Sequence, residues 1–135
     1  MRRTASLLAA AMMAATALTG ASIATAPAAA ARSTCIEGDG VPFSSGSDAQ
    51  YWFPEGDKYL TTTKYCRDIN IKMSASRYAH ICFYSKADKS FLYCQDSWKD
   101  LPEKEWAVIA QNVQDGQPFK IRFRYKVTFY GYLAY

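Results

Sequence analysis

His80 is the single histidine of the chain. A histidine acting as general acid or base needs a carboxylate within hydrogen-bond reach. Asp68 meets that need if Ser74 is the centre of a hairpin, because both residues stand six positions from Ser74. Arg67 and Arg77 lie in the same stretch, so a ribonuclease-like acid/base set is the catalytic reading. The plain reading, an ordinary histidine on a strand, outweighs it. The chain has no G-x-S-x-G elbow, no glycine-rich phosphate loop and no metal-ligand spacing.

Lys120, Arg122, Arg124 and Lys126 alternate with Phe119, Ile121, Phe123 and Tyr125. Alternate residues of a strand project to one face, about 7 Å apart. The pattern therefore predicts one apolar and one wholly cationic face. Four like charges in a row repel unless solvent, counterions or an anionic partner offset them. Two readings follow: a docking face for an acidic polymer, protein or phospholipid surface, or a solvated outer strand whose charges discourage edge pairing. The second is the blander and carries more weight. Nucleic acid fits on charge alone, but export argues against it.

The chain holds ten Tyr, seven Phe and three Trp. A domain of about 100 residues cannot hide all of them. Tyr51, Trp52 and Phe53 precede Pro54 and Gly56 and are expected on a loop, as contact anchors or as a lid over the core. Trp106 and Phe119 to Phe123 are expected in the core.

Cys35, Cys66, Cys82 and Cys94 read as two disulfides in an exported protein. Their spacing does not suit zinc, and pairing leaves no catalytic thiol. Cys82 and Cys94 are symmetric about Asp88, in the turn Ser85 to Ser90, which favours Cys82–Cys94 with Cys35–Cys66. Cys66 and Cys82 are symmetric about Ser74, so the rival pairing is nearly as good. Asp39, Asp48, Glu55 and Asp57 show no ordered calcium-loop spacing. No metal and no cofactor is expected.

The elements that must position these groups are strands. Asp68 to Met73 and Tyr78 to Tyr84 alternate polar and apolar residues, and Ser74 to Arg77 reads as the turn between them. Gln114-Asp115-Gly116-Gln117 suits a tight hairpin. Arg32 to Gln50 reads as an irregular leader, and Asp100 to Lys104 as a loop. No window keeps a helical period. The fold class expected is all-β: a small antiparallel sandwich or barrel of seven or eight short strands.

Residues 1–31 follow the plan of a bacterial-type secretory signal peptide. Arg2 and Arg3 are the positive end, Ser6 to Ile23 the apolar stretch, and Ala28-x-Ala30 or Ala29-x-Ala31 the cleavage signal. The residues after the paired arginines do not suit twin-arginine export, and those before Cys35 do not suit a lipid anchor. Taking 31 residues from 135 leaves 104, and losing Arg2 and Arg3 leaves 14 basic against 12 acidic groups, a net charge of +2. That is too small to argue for an anionic partner by itself.

The sequence thus points to a secreted, extracellular, monomeric binding protein, residues 32–135, without catalysis. Its expected partner is an extracellular protein, as for an inhibitor of secreted hydrolases, or a polysaccharide or other cell-envelope polymer. No membrane span is expected after cleavage. The alternatives are a small secreted hydrolase or toxin using His80 with Asp68, and a structural component of a cell surface or spore coat.

Overall fold

Each period-two run in the sequence has one apolar face to hide, and two sheets stacked face to face satisfy all of them at once. The computed structural model describes residues 35–36 and 40–135. The expected signal peptide lies outside these residues. Within them no helix is long and apolar enough to cross a membrane.

Among the described residues ten strands form two antiparallel sheets. In chain order they are β1 (Val41–Ser44), β2 (Gln50–Phe53), β3 (Leu60–Thr61), β4 (Ile69–Met73), β5 (Arg77–Tyr84), β6 (Phe91–Cys94), β7 (Lys99–Leu101), β8 (Trp106–Ala110), β9 (Pro118–Val127) and β10 (Tyr130–Ala134). The four-stranded sheet runs β1-β10-β4-β8. The six-stranded sheet runs β2-β9-β5-β6, with β3 pairing to β9 and β7 to β5. Ten strands replace the expected seven or eight for two reasons. The stretch read as an irregular leader contains β1, whose Phe43 enters the core. Short segments such as β3 and β7, of two and three residues, are too brief to show a period.

The core lies between the sheets. Ile69, Ile71, Met73 and Leu133 from one meet Ile81, Phe119, Ile121 and Phe123 from the other. Phe43, Phe53, Phe123 and Phe129 stack at one end, with centroids 4.5–5.8 Å apart. At the opposite flank Gln95 joins the layers. Its backbone N–H donates to Ile81 O, its side-chain Oε1 accepts from Ile81 N, and its Nε2 donates to Ile109 O of β8.

Several connections cross between sheets where the sequence suggests hairpins. β4 and β5 follow one another but lie in different sheets, so the Ser74-centred hairpin does not form. The Asp115–Gly116 turn, with Gly116 at φ 69°, likewise carries β8 of one sheet to β9 of the other. Thr62 clamps that turn: its hydroxyl donates to Gln114 O and accepts from Gln117 N. Alternation tells which face of a strand is buried, not which sheet it joins.

The Asp88-centred hairpin does form. Cys82 pairs with Cys94 across β5 and β6, and the two are bonded; Cys35 is bonded to Cys66. At the turn the Asp88 carboxylate accepts from the Ser90 amide and hydroxyl.

Candidate functional site: the outer face of the six-stranded sheet

β9 stands in the middle of its sheet, between β2 and β5. That corrects the expectation of an outer strand whose charges guard an edge. Its inward residues Phe119, Ile121 and Phe123 are fully buried. Tyr125, expected on the apolar face, is 58% exposed at the far end of the strand.

The outward residues form a ladder with aromatic neighbours (centroid distances throughout). Arg122 is opposite Trp52 of β2 and His80 of β5. Its guanidinium lies 5.3 Å from the Trp52 ring and 5.8 Å from that of Trp98. Arg124 lies 5.8 Å from Tyr78 and 5.4 Å from Tyr125. Lys120 is different. It is only 8% exposed, its Nζ donates to Gly56 O, and it sits 4.8 Å from the Tyr59 ring. Its charge is spent on the β2–β3 loop, so the expected row of four free cations reduces to Arg122, Arg124 and Lys126.

Among the described residues the one ion pair is Lys104–Glu103, so none of the outward cations is matched by a carboxylate. Aromatic quadrupoles offset part of the charge, at about 0.5–1 kcal/mol per exposed pair. The positive potential stays on the surface.

The Tyr51-Trp52-Phe53 segment is strand β2, not a loop, and its alternation divides it. Trp52 lies on the outer face against Arg122, whereas Phe53 turns inward, 4.9 Å from Phe43. Tyr51 is 48% exposed. A register shift between Gln50 and Trp52 opens the sheet there. Beside it runs an open groove of about 1020 Å³ lined by Tyr51, Trp52, Glu55, Tyr84, Lys120 and Lys126, among others.

His80 is 7% exposed, with its ring stacked 4.0 Å from that of Trp98 at 11°. Neither ring nitrogen completes a hydrogen bond. Burial holds its pKa below the ordinary 6.5, the Arg122 guanidinium adds to that, and a backbone group of Gln95 pulls the other way. Burial beneath an indole thus favours the neutral imidazole. Asp68 is not its partner: neither imidazole nitrogen has one, and the stretch leading into β4 belongs to the other sheet. The Asp68 Oδ1 instead accepts from the Asn112 amide at 3.0 Å. The metal-binding atoms of His80, Cys82 and Cys94 lie within 4.8 Å of one another, but both sulfurs are used in the disulfide and offer no thiolate.

The sequence singled out Trp52 and the basic row. It did not assign Tyr59, Tyr78, Tyr84 or Trp98 to the same surface. For Tyr78 and Tyr84 the signal was present, since they alternate in phase with His80 and Cys82. For Tyr59 and Trp98, in loops outside any strand, no periodicity exists. Comparison with protein families, curated proteins and solved structures finds no match for this chain.

Proposed function

We propose that this is a secreted, non-enzymatic binding protein that docks an anionic extracellular polysaccharide or cell-envelope polymer on the outer face of its six-stranded sheet. The carrying observation is Arg122, exposed between two indole rings with no carboxylate beside it. A guanidinium offers a planar fork of donors that matches carboxylate and sulfate groups. The flanking Trp52 and Trp98 offer flat apolar surfaces to the C–H faces of sugar rings. Arg124 and Lys126 extend the charge along β9, as a linear polymer requires. Two disulfides suit life outside the cell.

The buried, neutral His80 without an acid beside it supports binding over hydrolysis. An extended row of cations also fits a chain-like polymer better than the compact acidic patch of an inhibited enzyme.

The test uses the mature protein, residues 32–135, on resins carrying heparin or alginate. Retention that is released by salt is expected, together with its loss when Arg122, Arg124 and Lys126 are all changed to Gln. Unchanged retention of that variant overturns the proposal. Equal or stronger retention on immobilised single-stranded oligothymidine overturns the choice of polysaccharide.

A further inference from the structure

The four-stranded sheet repeats the device of the other face. Lys72 of β4 is directly opposite Tyr132 of β10 and Trp106 of β8. Its Nζ lies 5.1 Å from each ring. It is half-buried and, among the described residues, has no acidic partner. Two positions along β10, the Tyr130 hydroxyl meets the Tyr132 hydroxyl at 2.8 Å. Tyr130 is 47% exposed. One phenol donates to the other, which leaves a proton and lone pairs facing outward.

Beside these groups is a pocket of about 280 Å³, walled by Lys72, Met73, Ser74, Lys104, Tyr130 and Tyr132 among others. Lys104 is already paired with Glu103 at 2.9 Å, so Lys72 is the cation left to meet an anion there. A pocket at the small end of the ligand-site range, with apolar walls and a few convergent polar groups, suits a single ring and not a long chain. A cation beside aromatic faces and linked hydroxyls selects for a ring that is both hydroxylated and negatively charged.

We infer that Lys72, Tyr130 and Tyr132 form a second subsite for an acidic sugar residue, and that one molecule therefore ties two polymer chains together. This inference rests on the function proposed above. The two sites lie on opposite outer faces of one sandwich, so two chains can be held without sharing a surface.

The experiment binds the mature protein to alginate-coated beads, washes them, and offers soluble fluorescein-labelled alginate. Capture of the label is expected. Lys72→Gln and Tyr130→Ala should each leave bead retention intact and lower capture about tenfold, the loss expected for one charged or well-placed polar contact. Tyr130 is exposed, so its variant reports on binding even if Lys72→Gln disturbs folding. Retention without capture, or capture undiminished in both variants, overturns the second subsite and leaves the first face standing. An unretained wild-type protein removes the first reading and this one with it.

Discussion

On the six-stranded sheet the central cation is Arg122, exposed between Trp52 and Trp98; on the four-stranded sheet it is Lys72, half-buried between Trp106 and Tyr132. Both lie mid-sheet, Lys72 with rings on both neighbouring strands and Arg122 with one ring on β2 and one on the loop before β7. Their surroundings differ. Arg122 continues into a line of cations along a ten-residue strand, whereas Lys72 stands beside a phenol pair and a small pocket. A planar guanidinium gives directed, paired hydrogen bonds; an ammonium gives a compact point charge. One face is thus built to follow a chain and the other to seize a unit of it.

Both faces rest on one core, and its failure would remove them together. A Cβ added to Gly131 would lie 2.3 Å from the Lys72 carbonyl oxygen and 3.0 Å from the Phe43 ring. Gly131→Ala should destabilise the fold by about 4 kcal/mol, seen as a fall in the urea midpoint, and should weaken both faces together. A loss below about 1 kcal/mol would mean that β4 and β10 can part without harm to the rest.

The disulfides come next. Chain-entropy arithmetic gives about 3.7 kcal/mol for Cys35–Cys66, which closes 31 positions, and about 2.8 kcal/mol for Cys82–Cys94, which closes 12. Paired Cys→Ala variants, unfolded in urea, should keep that order. They should differ in function, because only Cys82–Cys94 lies on the face that carries Arg122. A reversed functional order would detach polymer binding from that face.

A smaller effect separates charge from shape. Arg122→Lys should fold normally, keep the charge, and lower heparin retention about threefold by losing the fork and the stack, roughly 0.7 kcal/mol of contact. Lys72→Arg should leave heparin retention unchanged. Equal behaviour of the two variants would mean that the faces read charge alone.

The finest test is pH. The folded pKa of His80 is depressed, so between the ordinary 6.5 and that lower value the unfolded chain binds a proton that the folded protein refuses. Stability therefore falls as pH drops below about 6.5 and is fully present above it. His80→Phe keeps a ring against Trp98 and should flatten that slope of urea midpoint against pH. An unchanged slope would mean that His80 is not the group that titrates there; Asp88 is not an alternative in that range. Its hydrogen bonds from Ser85 and then Ser90 pull its pKa down to about 2, so its contribution is lost only in far stronger acid.

Much of the fold was legible in local pattern. The alternation of Phe119 to Lys126 marked a strand with one buried face, and the symmetry of Cys82 and Cys94 about Asp88 marked a hairpin. Both signals depend on neighbours close in sequence. The pairing of Asp68 with His80 failed because a turn of three residues can send the chain to the opposite sheet as readily as back along the same one. The candidate site was half legible for the same reason. Arg122 and Trp52 were visible as residue types, but their meeting depends on β2 and β9, strands some seventy positions apart. Trp98 approaches His80 from a loop, and nothing in its neighbours foretells that. The Lys72 cluster draws on β4, β8 and β10, and no single window of sequence contains it.

Gln95 carries a consequence for how long the molecule lasts. A single carboxamide bridges the layers, and it works only because one end gives a proton while the other takes one. Hydrolysis of that amide, a slow ageing reaction of proteins in harsh surroundings, would set a negative oxygen against the Ile109 carbonyl. The wear would show as the sandwich prising apart along one seam, with the Arg122 face spoiled before either covalent bridge had been touched.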